Sequence, residues 1–391
     1  MAENENEIEI ESESEHDHAY DVSSLPDRRS IILGTMSSLL FTTSLPPSSP
    51  ASAINTITGT NIDLDLDTNI DTNIDSNTIP EWTLDNNVKF PTLALNTVGL
   101  SAKDATHALH LAVKSGVTHV DFHPGKERDG VAAYIASQGT ATAKGLGRES
   151  LFLNTKIRKA PPGTKAKDAA LMAKKQIEDD LQILGVANVD MLMLRDSPDC
   201  AVMQAQWKVM EEALKEGKTR SIGVINYCQK ALECILEVAE VKPAINYYML
   251  HVGMGRDAHG LREFGESKGI RTFAYGAVGE PGPNKELLNS PILKRIGVKY
   301  GKEPEEVALR WVLQGGAAVS VRPTTNFGLG MSTCSDQNSK CEAGMKERAS
   351  IFGWSLGGKE MEELDSLTSP DDNPTLFSSS GCPNSFTVPK L

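Results

Sequence analysis

An aspartate and a lysine fall near the ends of two successive apolar segments, where charged side chains are unusual. Asp121 lies in T-H-V-D-F (118–122) and Lys156 in L-F-L-N-T-K-I (151–157). We expect the two side chains to pair, because an isolated charge among apolar residues is strongly unfavourable. Such a pair has two interpretations. It is either a structural ion pair or a charged unit that tunes the pKa of a third, reacting group.

Short apolar segments of the same kind recur along the chain and alternate with helical patterns. Most are almost continuously apolar, as is typical of strands buried on both faces. Gly116, Gly185, Gly217 and Gly269 each end a helical pattern just before the next strand, where helix-terminating glycines belong. The predicted strands are 92–97, 118–122, 151–157, 189–195, 221–227, 245–250, 271–278 and 318–323.

Eight strand–helix units predict an α/β fold of the TIM (β/α)8 barrel type. The segment E-W-T-L-D-N-N-V-K-F-P (81–91) predicts an N-terminal β-hairpin with its turn at Asn86-Asn87, closing the bottom of the barrel. In this fold, chemistry occurs at the carboxyl ends of the strands. The candidate site residues at those ends are Asp121, Lys156, Arg195, Asn226, Tyr247, Tyr275 and Arg322.

The charge of the chain divides it into a leader and a folded body. Residues 1–80 carry 15 acidic residues and 2 arginines, whereas residues 81–391 carry 37 charges of each sign. We therefore predict a disordered acidic leader at 1–80, a barrel at 81–370 and a C-terminal tail at 371–391. The body has no basic surplus to suggest nucleic-acid binding, and no segment is long and apolar enough to predict a transmembrane helix.

Part of the leader has the order of an export signal. Arg28 and Arg29 precede a mildly apolar run, and Ala51-Ser52-Ala53 follows as a small-x-small ending. Residues 28–53 thus resemble a twin-arginine (Tat) signal, which would direct export, for example to the plastid thylakoid lumen. The Glu-rich start does not fit a transit peptide. A disordered tail with a chance match, on a cytoplasmic protein, is the alternative.

Beyond the strand order, three segments of the body resemble the aldo/keto reductase family. They are I-E-D-D-L-Q-I-L-G-V-A-N-V-D-M-L-M-L (177–194), W-K-V-M-E-E-A-L-K-E-G-K-T-R-S-I-G-V-I-N-Y (207–227) and V-A-L-R-W-V-L-Q (307–314). The resemblance covers about 82–368 and implies NADPH-dependent reduction of a small-molecule carbonyl substrate. It also implies four catalytic groups: a proton-donating tyrosine, a lysine that lowers its pKa, an aspartate that pairs with the lysine, and a histidine that orients the carbonyl.

The resemblance assigns two of these four groups to matching residues and departs at the other two. Asp121 matches the aspartate and Lys156 the lysine, whereas Lys126 stands at the tyrosine position and Arg195 at the histidine position. Arginine stays protonated and cannot act as an acid, but it can polarise a carbonyl or hold an anionic substrate bidentately. His123 or Lys126 is the candidate replacement for the proton donor.

The cofactor positions implied by the resemblance are also only partly matched. Asn226 matches an amide ligand of the nicotinamide, although Ile225 replaces the serine that usually precedes it. Tyr247 stands where the family has a glutamine, and Tyr275 matches the tyrosine that stacks under the nicotinamide. Arg322 matches the basic residue that binds the 2′-phosphate, which favours NADPH.

The six cysteines suggest no metal or thioredoxin-like site, because no C-x-x-C motif occurs. Cys334 and Cys341 flank a polar loop and would form a disulfide in an exported protein, with reduced surface thiols as the preferred alternative. Cys200 lies five residues past Arg195 and is a further candidate, as a thiol nucleophile.

Three functions are consistent with these residues. The first is an NADPH-dependent carbonyl reductase with an altered proton donor. The second is a non-catalytic, pseudoenzyme-like member that binds a ligand or a protein partner. The third is a Schiff-base enzyme that uses the amine of Lys156.

Overall fold

The computed structural model describes residues 78–138, 147–258, 260–279, 284–323, 334 and 339–367. The predicted export signal at 28–53 and the predicted tail at 371–391 lie outside these residues. In the described part of the chain, no helix combines the length and apolar character needed to cross a bilayer.

Eight parallel strands close into a barrel in the order β10-β3-β4-β5-β6-β7-β8-β9, as the sequence predicts. Each strand is nearly continuously buried, because its inner face packs in the barrel and its outer face packs under the helices. The barrel strands are β3 Leu93–Asn96, β4 His119–Asp121, β5 Phe152–Ile157, β6 Val189–Arg195, β7 Thr219–Ile225, β8 Ile245–Met249, β9 Arg271–Tyr275 and β10 Ala318–Val321.

Helices follow the strands, and their ends carry the expected capping residues. The Ser101 side chain accepts a hydrogen bond from the Asp104 amide, and Asp199 caps the helix after β6 in the same way. All four predicted helix-terminating glycines have positive φ. The helices are α1 Ala102–Lys114, α2 Lys126–Ser137, α3 Ala166–Leu184, α4 Cys200–Lys215, α5 Gln229–Leu236, α6 Leu261–Ser267, α7 Asn284–Asn289, α8 Pro291–Tyr300, α9 Pro304–Gln314, α10 Ser339–Ala349 and α11 Gly358–Asp365.

The predicted hairpin is present and closes the amino-terminal end of the barrel. It pairs β1 (Glu81–Thr83) with β2 (Lys89–Pro91) in antiparallel register. Phe90 is fully buried and makes edge-on contacts with Phe152 and Phe273 at 5.2 and 5.4 Å between ring centroids. This aromatic plug leaves the opposite, carboxyl-terminal end as the face where side chains can meet a ligand.

The strand register places Asp121 and Lys156 side by side. Asp121 of β4 is the partner of Asn154 on β5, and Lys156 is two residues further along the same strand. Residues two apart on a strand point to the same face. The Asp121 and Lys156 side chains therefore converge inside the barrel, near its carboxyl end.

The structure contains two disulfides among the described residues, so the preferred expectation of reduced cysteines is wrong. Cys334 is joined to Cys341, with their Cα atoms 5.8 Å apart, and Cys200 is joined to Cys234, with their Cα atoms 6.0 Å apart. Both separations suit a disulfide. Cys228 is also disulfide-bonded. The prediction that Cys200 is a thiol nucleophile is wrong, because its sulfur is bonded to another cysteine.

Candidate active site

The predicted ion pair between Asp121 and Lys156 is present inside the barrel, near its carboxyl end. The Lys156 ammonium donates to Oδ1 of Asp121 and, at 3.0 Å, to the carbonyl of Phe122. The Lys156 side chain is 0% exposed. A Schiff-base role for Lys156 requires an amine that a carbonyl can reach, and this enclosure argues against that role.

The second oxygen of the Asp121 carboxylate is also occupied. Tyr247 of β8 donates its hydroxyl to Oδ2 at 2.6 Å, and Ser320 of β10 donates to the same atom at 2.7 Å. The Tyr247 oxygen in turn accepts a hydrogen bond of 3.2 Å from the Asn96 amide. Strands β3, β4, β5, β8 and β10 are thus tied together by one buried carboxylate.

Burial and charge shift the pKa values of this network in opposite directions. Burial alone would raise the pKa of Asp121, but the Lys156 ammonium and the hydrogen bonds outweigh it and lower that pKa. The pKa of Tyr247 is raised well above its ordinary value by burial and by the neighbouring Asp121 carboxylate. The Tyr247 hydroxyl is therefore a hydrogen-bond donor held in its neutral form, unlike an activated catalytic phenol.

His123 and Glu127 form a second pair at the carboxyl end of β4. Nδ1 of His123 lies 3.0 Å from Oε2 of Glu127, and the His123 amide donates to the same oxygen at 2.9 Å. The other Glu127 oxygen accepts the Gly99 amide at 2.7 Å, which fixes the carboxylate. Nε2 of His123 has no hydrogen-bond partner among the described residues, and the imidazole is 18% exposed.

The charges around His123 shift its pKa. Burial lowers it, the Lys156 ammonium lowers it further, and the Glu127 hydrogen bond opposes both, with a net shift downward. Arg195, at the end of β6, acts on His123 in the same direction as Lys156. The imidazole, the buried ammonium and the guanidinium therefore share one electrostatic environment at the barrel mouth.

The two positions where the family pattern is broken lie on this mouth. Lys126 begins α2 and is exposed, and Arg195 is partly buried. Tyr134, the next tyrosine in the chain, cannot replace the missing one. It is 1% exposed and packs edge-on against His110 of α1 at 4.6 Å, outside the barrel.

The predicted cofactor residues lie on or directly after four adjoining strands, β7 to β10. Tyr275 is partly exposed and donates its hydroxyl to Oδ1 of Asn226 at 2.8 Å. Asn226 has a left-handed φ of 59°, which turns the chain at the end of β7. Tyr247 is 4% exposed and stacks on Phe273, and Arg322, which follows β10, accepts a hydrogen bond from Arg348 through its carbonyl. Their roles toward a cofactor stay predictions.

Three residues of this network were missed by reasoning from sequence. Ser320 interrupts the apolar strand A-V-S-V, Asn96 ends β3, and Glu127 lies one helical turn after His123. A lone polar residue within an apolar strand is a usable signal, because a buried hydroxyl or amide requires a partner. The i, i+4 spacing of a histidine and a glutamate at a helix start is a second one.

The barrel is closed at one end and carries a buried ion pair and a histidine–carboxylate pair at the other. The protein is therefore a TIM-barrel protein with a candidate active site on its carboxyl face. A profile of the Aldo/keto reductase family matches residues 92–326. The chain belongs to this family.

Curated and structurally characterised proteins agree with that assignment. The chain is 28% identical over 295 residues to aldo-keto reductase family 4 member C11 of Arabidopsis thaliana, covering 71% of this chain and 85% of the relative. It is 26% identical over 323 residues to NADPH-dependent codeinone reductase 1-4 of Papaver somniferum, covering 74% and 90%. An aldo/keto reductase structure from Brucella melitensis aligns with a TM-score of 0.62 at 26% identity, covering 74% of this chain and 100% of the other.

Proposed function

We propose that this protein is an NADPH-dependent carbonyl reductase in which His123, held by Glu127, supplies the proton that a tyrosine supplies elsewhere in the family. The observation that carries the proposal is the His123–Glu127 contact of 3.0 Å beside the buried Lys156. Family membership supports the reductase class, and one relative, a codeinone reductase of Papaver somniferum, is NADPH-dependent by name.

The geometry of His123 suits a proton donor. When Nδ1–H donates to Glu127, the free Nε2 is the only atom of the imidazolium left to deliver a proton to a ligand at the mouth. The Glu127 carboxylate fixes the orientation of the ring and offsets part of the fall in its pKa that burial and Lys156 cause, and the protonated ring is the acid of the step. Arg195 then polarises the carbonyl without exchanging a proton, because its guanidinium stays charged.

The residues that would hold the nicotinamide are Asn226 and Tyr275. The Asn226 amide oxygen is occupied by the Tyr275 hydroxyl, so its amide nitrogen is left as a donor, and the ring of Tyr275 is partly exposed as a stacking surface. This arrangement fits a nicotinamide, and Arg322 would meet the 2′-phosphate. NADPH, when bound, supplies a hydride to the carbonyl carbon, and the oxygen that gains the electron pair takes the proton from Nε2 of His123.

The proposal is tested with the purified protein, NADPH and a panel of aldehydes and ketones. Binding is followed by NADPH fluorescence, and turnover by loss of the cofactor absorbance. We expect His123→Gln and Glu127→Gln to bind NADPH normally but to reduce turnover by about 10²–10⁴-fold, the usual contribution of general acid catalysis. His110→Gln, on the exposed face of α1, is the matched control. Undiminished turnover in H123Q contradicts the assignment of the donor.

A second candidate function is a ligand- or partner-binding role without catalysis. One observation favours it: the Lys156 amine is wholly enclosed, and both oxygens of Asp121 are occupied by groups of the protein itself. In this case the ion pair persists as structure. The absence of fluorescence change at millimolar NADPH would support the non-catalytic role over the reductase.

We further propose that the protein is exported to an oxidising compartment. The five cysteines in the described part of the chain are all in disulfides, which persist in oxidising compartments and are rare in the cytosol. The twin-arginine pattern at 28–53 is a route to such a compartment. Fusion of residues 1–60 to a fluorescent protein tests this, and replacement of Arg28 and Arg29 by lysine should block export. A cytosolic fusion would contradict it.

A further inference from the structure

The carboxyl ends of three consecutive strands present cations to the barrel mouth. Lys126 follows β4, Arg158 follows β5 and Arg195 ends β6. Ile157 is the register partner of Leu194, so Arg158 and Arg195 are level with each other at the ends of neighbouring strands. Nη2 of Arg158 lies 3.8 Å from the point where a side chain at Gly125, the residue before Lys126 in the chain, would begin.

Within the described part of the chain, these three cations have no carboxylate partner, unlike the charged groups around them. Among the described residues, no carboxylate lies within ion-pair distance of the Lys126, Arg158 or Arg195 side chains. The two neighbouring carboxylates are already engaged, since Glu127 holds His123 and Asp196 pairs with Lys159 at 3.0 Å. The mouth therefore has an excess of positive charge, although the residues from 81 onward are neutral overall.

The backbone that carries the two arginines is fixed rather than free. The Arg158 amide donates to Gln176 at 2.9 Å, and the same Gln176 side chain donates to the Lys156 carbonyl at 2.8 Å. Arg195 is paired in register with Ile225 and accepts a hydrogen bond from the Tyr227 hydroxyl through its carbonyl. Two guanidinium groups on fixed strand ends are suited to a planar anion, because each offers a fork of parallel N–H donors.

We infer that this protein takes a carbonyl substrate that also bears a carboxylate, with Arg158 and Arg195 holding the carboxylate and Lys126 adding positive charge. This inference rests on the proposed function for the carbonyl, and on the three cations alone for the anion. The carboxylate places the adjoining carbonyl at the mouth, within the region shared by His123 and Arg195. A 2-oxo acid is the simplest molecule of this class.

The experiment compares phenylglyoxylate, a 2-oxo carboxylate, with its neutral methyl ester. Calorimetric titration of each into the full-length protein, at low and at moderate salt, measures binding without requiring turnover. We expect the acid to bind at least ten-fold more tightly than the ester, and added salt to weaken only the acid. R158Q should lose at least ten-fold in affinity for the acid and keep its affinity for the ester. R158K should recover part of the loss, because the charge is kept and the fork is not.

Lys208→Gln is the matched control, because Lys208 is an exposed cation on α4, away from the mouth, with no ion-pair partner among the residues that the structure describes. Equal binding of acid and ester, or an unchanged affinity for the acid in R158Q, would overturn the inference. A failure of the proposed reductase function would give a different result from a failure of this inference. In that case the acid binds through the two arginines, but no NADPH is consumed.

Discussion

The Tyr247 hydroxyl donates to Oδ2 of Asp121 at 2.6 Å, while Oδ1 of the same carboxylate receives the Lys156 ammonium. The Tyr247 phenol thus bonds Oδ2, the Asp121 oxygen that Lys156 does not bond. The pKa of Tyr247 is raised, so its hydroxyl stays neutral and donates a hydrogen bond to the charged Asp121 carboxylate. The barrel has a tyrosine beside its aspartate–lysine pair, but one that stabilises the pair rather than being activated by it.

Removal of one member of the ion pair should strongly destabilise the protein. We expect Lys156→Met or Asp121→Asn to lower the free energy of unfolding by about 3–5 kcal/mol, because each leaves a buried charge without its partner. The double variant D121N/K156M should lose less than the sum. Lys175→Met is the control, since its ion pair with Asp179 is exposed on both sides and should contribute less than about 1 kcal/mol. Additive effects of the two buried substitutions in urea titrations would show that the pair is not coupled.

The hydrogen bond from Tyr247 to a carboxylate should be stronger than a neutral one on the same strand. Tyr247→Phe is expected to cost about 1.5–3 kcal/mol, because its hydroxyl donates to a charged acceptor. Tyr248→Phe is the matched control, as the Tyr248 hydroxyl lies 2.9 Å from the neutral hydroxyl of Thr272 and should contribute about 0.5–1.5 kcal/mol. Urea unfolding of both variants gives the comparison, and a smaller loss in Y247F than in Y248F would contradict it.

His119 should make the folded state sensitive to acid. Burial lowers its pKa from 6.5 to about 4, with the hydrogen bond to the Pro91 carbonyl opposing the shift. A lowered folded-state pKa means that the unfolded chain takes up the proton first. The contribution of His119 to stability is therefore complete above pH 6.5 and is lost as the pH falls toward 4, at up to about 1.4 kcal/mol per pH unit.

His119→Phe removes this proton uptake and keeps an aromatic ring beside Phe90 and Phe152. We expect its unfolding free energy to fall less between pH 7.5 and pH 5.0 than that of the unmodified protein. The comparison cancels the carboxylates, which titrate in both proteins. Parallel stability curves would show that His119 does not titrate in this range.

The two described disulfides should differ in their contribution to stability. Cys200–Cys234 spans 34 residues and Cys334–Cys341 spans 7, and a longer closed loop removes more entropy from the unfolded chain. We expect the C200A/C234A variant to lose about 4 kcal/mol and C334A/C341A about 2 kcal/mol. Thermal unfolding of each double variant, with and without dithiothreitol, measures the difference. A larger loss for the shorter loop would contradict the entropic explanation.

The barrel and its hairpin could be predicted from local pattern, because each element shows its burial in its own residues. The apolar strand at 151–157 and the terminating glycine at 185 are examples. The Asp121–Lys156 pair could also be predicted, since two adjacent strand ends each carried one charge. The proximity of Asp121 and Lys156 follows from the pairing of β4 with β5.

Contacts between distant strands could not be predicted in the same way. The Tyr247–Asp121 bond joins residues 126 positions apart, and the resemblance to a family glutamine pointed Tyr247 toward a cofactor instead. The Cys200–Cys234 bond was missed because disulfide connectivity depends on which helices become neighbours. In both cases the missing information is which elements of the chain become neighbours in three dimensions.

The aromatic plug around Phe90 also fixes where the folded barrel can be attached to a surface. Pro80 accepts a hydrogen bond from the Thr92 amide, so the chain enters the barrel at its closed end. A shortened protein that begins near Thr78 would carry its amino terminus on that side. Immobilisation through an amino-terminal affinity tag should then leave the open mouth facing the solution, which makes the shortened protein suitable for sensor-based binding measurements.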